Sequence, residues 1–295
     1  MVWETVYVGS IGIHLWGQTE GNQPLTNGPG AVNTRRPLAQ YTIASIKAFG
    51  PWGVSTYEGI SSRLQKRFSN GLSFLASFTH GRSIDLQNGA LDACDSCANN
   101  TVQNSYDRSS QKGPSDNDVA FRFSYGGLWE LPFGPGRTWL KQGWASQAAG
   151  HWQVNTIYAV QTGTPFTAPL NFDNANAGTV SYPNRVCSGS LDNKSVAKWF
   201  DTSCFVSPPS YVFGNEGRNV IRAPGKDNVN IGLQRRFPLS FREGMGLEFR
   251  AEAYNLFNHP QFSRPSATVG NAGYGTITST AVANRQLQFA LRLAF

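Results

Sequence analysis

The chain has 295 residues and a formal net charge of +7, with 40% hydrophobic and only 15% charged residues. That length and apolar content suffice for one large domain or two small ones. No run of about 18 apolar residues exists, so a transmembrane helix is excluded, although membrane-spanning strands are not, since half their side chains can be polar. Charged residues fall well below the roughly 25% of soluble domains, and aromatics are abundant, with 19 Phe, 10 Tyr and 8 Trp. The Lys and Arg are scattered, with doublets only at Arg35-Arg36, Lys66-Arg67 and Arg235-Arg236, and no recognised nucleic-acid motif accompanies them. The basic balance therefore does not indicate a nucleic-acid partner.

The first residues, MVWETVYVGS, have no basic n-region, apolar h-region or small-residue cleavage site, and read instead as part of a strand. Eight segments predict strands, at about 2–16, 52–68, 72–81, 118–131, 149–162, 227–237, 246–257 and 284–295. Alternation is clean in several of them. In the fourth, Val119, Phe121, Phe123, Tyr125, Trp129 and Leu131 oppose Ala120, Arg122, Ser124 and Glu130. In the fifth, Trp152, Val154, Tyr158 and Val160 oppose Gln153, Asn155 and Gln161. In the sixth, Val229, Ile231, Leu233 and Phe237 oppose Asn228, Asn230, Gln234 and Arg236. In the seventh, Leu247, Phe249, Ala251 and Ala253 oppose Glu248, Arg250 and Glu252. The last segment, RQLQFALRLAF, places Leu287, Phe289, Leu291, Leu293 and Phe295 on one face and Gln286, Gln288, Ala290, Arg292 and Ala294 on the other. Side chains on a strand alternate between faces, so each segment has one apolar and one polar side.

The connections alternate as well. They are fairly short at 69–71, 132–148 and 238–245, and long at 17–51, 82–117, 163–226 and 258–283. Long Gly/Pro/Asn-rich loops alternating with shorter turns are the pattern of an outer-membrane barrel, long outside and short on the periplasmic side. A compact soluble domain rarely tolerates four such loops. If Phe295 lies at the periplasmic face, every short turn falls there too, and Phe68, Trp129, Phe237 and Phe295 form an interfacial aromatic belt. The expected fold class is all-β: an antiparallel transmembrane β-barrel, here a curved C-terminal segment of about eight long strands.

No catalytic constellation emerges, and neither a metal nor a cofactor is expected. Cys94 and Cys97 (DACDSC) and Cys187 and Cys204 all lie in long loops. A lone CxxC without two further ligands does not make a zinc site. Disulfides suit the oxidising cell surface. Cys94–Cys97 and Cys187–Cys204 are the favoured pairs and cross-pairing between the loops is the alternative; the second pair would close a loop worth about 3 kcal/mol. His14, His80, His151 and His259 lack metal spacing and read as polar lumen or loop residues. Asp116-Asn117-Asp118 lacks the Gly and distal Glu of a calcium loop and reads as a solvated loop-to-strand corner. Glu248 and Glu252 share a face with Arg250 between them, which suggests charge pairing rather than paired acid catalysis.

The stretch from about 211 to 295 resembles the C-terminal end of the Oar-like TonB-dependent receptors, outer-membrane barrels associated with a carboxypeptidase-regulatory-like domain. The matching blocks are GNEGRNVIRAPG (214–225), NVNIGLQRRFPL (228–239), LEFRAEAYNLFNHPQF (247–262), YGTI (274–277) and RQLQFALRLAF. Upstream, YEGISSRLQKRFSNGLSFLASFTHGRSID (57–85), QTGTPFT (161–167) and WFDTSCF (199–205) are similar to further family patterns. The resemblance implies a plug domain within a barrel of about 22 strands, so residues 1–295 are expected to be its C-terminal portion, with plug and N-terminal strands absent. It implies substrate capture by the extracellular loops for energised uptake, with the TonB complex acting through the missing plug. The lumen residues Arg122, Gln153, Arg236, Glu248, Arg250 and Arg292 would face that plug. Leu287, Phe289, Leu291, Leu293 and Phe295 would form the signal read by the barrel-assembly machinery. Outer-membrane lipid is the other implied partner, and the substrate could be a sugar, a peptide or a chelated metal. Two alternatives stand beside this reading: a complete eight-stranded outer-membrane barrel with a structural or adhesin role, and a soluble all-β carbohydrate-binding module or enzyme.

Overall fold

The computed structural model describes residues 1–42, 44–87, 102–239 and 245–295. Eight long strands carry the architecture: β1 (Val2–Glu20), β2 (Lys47–Ser69), β3 (Leu72–Asp85), β4 (Phe121–Glu130), β5 (Trp152–Gln161), β6 (Lys226–Pro238), β7 (Gly246–Tyr254) and β8 (Gln286–Ala294). They form one sheet in which each pairs antiparallel with its neighbours in sequence, from β1 at one edge to β8 at the other. Among the described residues β1 and β8 do not pair with each other. All eight expected strands are therefore present. The first three run several residues further toward the long-loop end than alternation alone indicated, since β1 reaches Glu20, β2 starts at Lys47 and β3 reaches Asp85.

Register fixes the two faces across the whole sheet. Tyr125, Tyr158, Val229 and the row containing Phe123 and Val160 lie on one side. Leu233, Ala251 and Phe289 continue that side to the last edge. The opposite side carries Glu130, Gln153, Gln234 and Arg250, aligned residue by residue. A one-residue slip would exchange these faces, so the pattern pins the register. The tight turn between β2 and β3 helps: Asn70 (φ 52°) and Gly71 (φ 75°) both adopt the left-handed conformation, as the two-residue hairpin favoured by strand twist requires.

Almost nothing buried lies in the sheet. Leu287, Phe289 and Leu291 are 62–68% exposed. The compact apolar cluster is instead built by the connection between β5 and β6, from Phe166, Ala168, Phe200, Cys204, Phe205 and Ile221. Phe200 is its centre, meeting Phe166, Phe205 and Tyr274 edge-on at ring separations of 5.9, 5.7 and 5.3 Å. A sheet with an apolar outer side and a polar inner side has no face left for a protein core, so the core forms where the loops pack on one another.

Within the sheet, packing is done by aromatic rings lying over glycines. The Tyr57 ring covers Gly59 and, on the neighbouring strand, Gly81, where a Cβ would come within 2.8 Å of the phenol oxygen. Gly126, by contrast, has open space on its side-chain position. Gly81→Ala is expected to lower stability by about 1–3 kcal/mol through overpacking, whereas Gly126→Ala is expected to be near neutral. Urea unfolding midpoints of the two variants, read by tryptophan fluorescence, check the contrast.

Candidate functional site

The four long connections, L1 (21–46), L2 (86–120), L3 (162–225) and L4 (255–285), all leave the same end of the sheet and are fastened together there. Each has a polar anchor set by residues far apart in sequence. At the base of L1, Glu20 and Arg36 pair at 3.4 Å with both side chains 5% exposed. Glu20 also accepts the backbone N–H groups of Asn22 and Ile46, each at 2.9 Å. Between L1 and L2, Tyr106 donates its hydroxyl to the Gln23 carbonyl at 2.6 Å and the Ser105 N–H donates to Gln23 Oε1 at 2.6 Å. Gln103 of L2 then accepts from the Tyr182 N–H at 2.8 Å and donates to the Gly214 carbonyl at 3.1 Å in L3. L4 joins L3 through Trp199 N–H to the Gly275 carbonyl and Ile277 N–H to the Val196 carbonyl.

The densest anchor lies between L2 and the 214–225 block of L3. Arg218 forms ion pairs with Asp85 and with Asp116, the latter at 3.6 Å, and donates to the carbonyls of Gln111 and Pro114, each at 3.2 Å. Asn219 donates to the Pro114 carbonyl at 2.7 Å and to Asp116. Arg222 pairs with Asp118, which accepts the Ser83 N–H at 2.7 Å on its other oxygen. Asp116 and Asp118 are 8% and 2% exposed. The expected solvated corner is therefore a buried one: arginines supplied by L3 cover the two carboxylates, a contact that local sequence does not announce. Burial pushes the Arg218 guanidinium down to about 10, still far above neutrality, so it remains charged. Burial likewise raises the Asp116 carboxyl, with the Asn219 hydrogen bond acting in the opposite direction.

Glu216 differs from these. It is 4% exposed, one oxygen accepts the Ala168 N–H at 3.1 Å, and the other has no hydrogen-bond partner. Burial pushes its carboxyl up to about 8, the Ala168 hydrogen bond and the Arg185 charge only partly offsetting it. The neighbouring hydroxyls of Tyr182 and Tyr274 are raised as well, by burial first and by the Glu216 charge second.

The cysteines of L3 are joined, Cys187 to Cys204, with Cα atoms 5.0 Å apart. Cys94 and Cys97 lie outside the described residues. Among the described residues the one group of His, Cys, Asp or Glu close enough to share a metal is Cys187, Asp201 and Cys204, and both of its sulfurs belong to the disulfide. The four histidines do not come together. His80 lies in register with Ile60 and Phe121, on the apolar side rather than the polar one. His259 sits in L4 beside Gln261, whose side chain clamps both backbone groups of Asp227.

At the short-turn end the polar face carries a chain of side chains across the sheet. Arg137 pairs with Glu130 at 2.6 Å, Gln153 donates to Glu130 at 3.0 Å, and Gln234 donates to Gln153 at 2.7 Å. Beside it a recess of about 510 Å³ is lined by His151, Arg236, Glu248 and Arg250 among others. Glu248 meets Arg292, directly opposite it on β8, at 4.0 Å. The charge pairing expected of Arg250 with its own strand is thus replaced by a cross-strand contact, because residues two apart on a strand are further from each other than opposed residues on adjacent strands. Glu248 is the one carboxylate among the described residues lining this recess.

A meandering antiparallel sheet with an apolar side, a polar side, short turns at one end and interlocked long loops at the other defines a membrane β-barrel wall. The model of the outer membrane beta barrel domain family matches residues 1–288, and the chain belongs to that family. It is therefore an outer-membrane protein, with its apolar side toward lipid and its polar side toward the barrel lumen. The crystal structure of the outer membrane transporter YddB from Escherichia coli superposes with a TM-score of 0.46 at 10% sequence identity, over 99% of this chain and 30% of that one. This chain thus spans under a third of that protein's length. No curated protein matches it.

Arg218→Met is expected to unfasten L2 from L3, leaving Asp85 and Asp116 buried without their cation at a cost of about 3–5 kcal/mol. Limited proteolysis should then cut L3 while the strands stay protected. For Glu216, the folded loop holds its proton more tightly than an unfolded chain would. Its contribution is fully present below the ordinary value of 4.5, is lost as the pH rises toward about 8 and levels off above it. Hydrogen exchange of L3 amides between pH 5 and 9 should show this loosening, and Glu216→Gln should abolish it.

Proposed function

We propose that the chain is the C-terminal barrel portion of an outer-membrane TonB-dependent receptor of the Oar-like kind, which captures its substrate with the extracellular loops for energised uptake. The observation that carries this reading is the open sheet. β1 and β8 each have one strand neighbour among the described residues, and the polar face of the sheet lies open between them. Unpaired strand edges are not tolerated in hydrocarbon, so further strands are needed to complete the wall. The polar residues expected to face a plug, Arg122, Gln153, Arg236, Glu248, Arg250 and Arg292, lie in register on one side of the sheet, which supports a lumen filled by another part of the protein. L1 to L4 are then extracellular, and their interlocking provides a preorganised capture surface. Outer-membrane lipid, the barrel-assembly machinery acting on Leu287 to Phe295, and the TonB complex acting through the plug complete the set of partners.

Extending the reading frame upstream of Met1 should reveal further alternating strands and a plug; a signal peptide directly before Met1 would overturn the proposal. In cells making the full-length gene product, substrate accumulation is expected to stop when a protonophore collapses the inner-membrane gradient, while surface binding persists. Accumulation unaffected by the protonophore would contradict energised uptake.

A further inference from the structure

At the long-loop end of the polar face, β5 and β6 hand over to L3 and L4, and a recess of about 440 Å³ opens there. That volume lies within the range of small-molecule sites. Its polar lining consists of Gln161, Thr164, Lys226, Ser263 and Arg264, with Phe262 as an apolar wall, and no carboxylate is among the lining residues. Gln161, Thr164, Lys226 and Ser263 make no side-chain hydrogen bond or ion pair within the described residues. All five polar side chains can donate, two of them as cations.

The fold holds these groups in place. Lys226 and Gln161 are directly opposed in the β5–β6 register, and Gln161 is opposed on its other side by Arg122, so a row of two cations flanking an amide crosses the lumen side. Arg264 lies over the Phe166 ring at 5.7 Å, which fixes its guanidinium against the L3 core. Asp116 acts on Arg264 and is itself buried and engaged by Arg218 and Asn219. Asp227, next along from Lys226, points to the opposite side of the sheet, where it meets Tyr158. The two ends of L3 close the recess from behind, with the Ala223 N–H donating to the Thr164 carbonyl at 3.0 Å and Gly163 packed against Ala223 too closely for any Cβ.

We infer that this recess is the lumen-mouth site for a small organic anion, one whose carboxylate or phosphate groups lie against Lys226 and Arg264 while its carbon skeleton rests on Phe262. The inference rests on the uptake reading above and names its substrate class: an anionic solute rather than a neutral sugar. A set of donors with two cations and no carboxylate in its lining favours a charge-assisted contact that a neutral molecule cannot return.

The test is calorimetric titration of the full-length gene product, in detergent micelles at low ionic strength, with citrate as the anionic probe and sorbitol as the neutral one. Citrate should bind, with an affinity that falls as salt is added, and sorbitol should not. Lys226→Gln and Arg264→Gln should each weaken citrate binding about ten- to a hundredfold. Lys226 is exposed, so its variant keeps the test sound even if Arg264→Gln disturbs L3. Sorbitol binding as tightly as citrate, or Lys226→Gln titrating like the parent protein, would overturn the inference. Because binding is read without an energy source, a failure of energised uptake leaves this result standing, and the two readings fail separately.

Discussion

Backbone hydrogen bonding is the constraint on which the rest of this molecule depends. In hydrocarbon an unpaired N–H or C=O costs several kcal/mol, so a spanning strand must be paired along both of its edges. Among the described residues six of the eight long strands have a strand neighbour on each side, and the two at the ends have one. The sequence pattern follows from the same constraint. With the backbone satisfied by neighbours, side chains are free to alternate between an apolar and a polar environment, as β8 does without exception from Gln286 to Ala294. The sheet also has no reason to bury anything, which is why its best-formed face carries Phe289 at 68% exposure.

The buried apolar cluster of the described residues therefore sits at the long-loop end. There the apolar cluster around Phe200 and the ion-paired layer around Arg218 have different parts. The cluster gathers L3 and draws in Tyr274 of L4. The ionic layer joins L3 to L2 and to the top of β3 through Asp85. Buried ion pairs of this type are weak sources of net stability, since desolvation offsets most of the attraction. They are stringent about geometry, however. The Arg218 guanidinium meets Asp85, Asp116 and the carbonyls of Asp85, Gln111 and Pro114, a set of contacts that one position of L3 on L2 satisfies together.

The sheet was legible in the sequence because its determinants are local. Alternation in 118–131 and 246–257, the Asn70-Gly71 turn and the parity of loop lengths each need only neighbours in the chain. The loop anchors were not legible, and the reason is distance. Arg218 meets Asp85 and Asp116 across more than a hundred residues, and nothing near Asp116 reveals that a guanidinium will cover it. The block GNEGRNVIRAPG carries a family resemblance, yet the roles of Glu216, Arg218, Asn219 and Arg222 within it depend on partners elsewhere in the fold, most of them in L2. Strand ends show the same effect on a smaller scale. The segments 17–20 and 82–85 look like loop by composition, and they become strand because Lys47–Gly50 and Ser55–Glu58 lie opposite them.

The way L3 is rooted has an architectural consequence. Near its two ends the connection forms the short ladder pairing Phe166 with Ile221 and Pro165 with Arg222, a few residues beyond the point where Lys226 and Gln161 close the main sheet. Everything between those ends carries its own apolar centre and its own disulfide. L3 is thus less a loop than an inserted module standing on a two-stranded stem. The wall below meets the stem, whose width is set by one pair of adjacent strands, and one side chain of the module, Arg218, which reaches Asp85 at the top of β3. A different module that kept the stem and that one contact would leave the wall unaltered, so the geometry separates the part of the protein that stands beyond the sheet from the part that meets the membrane.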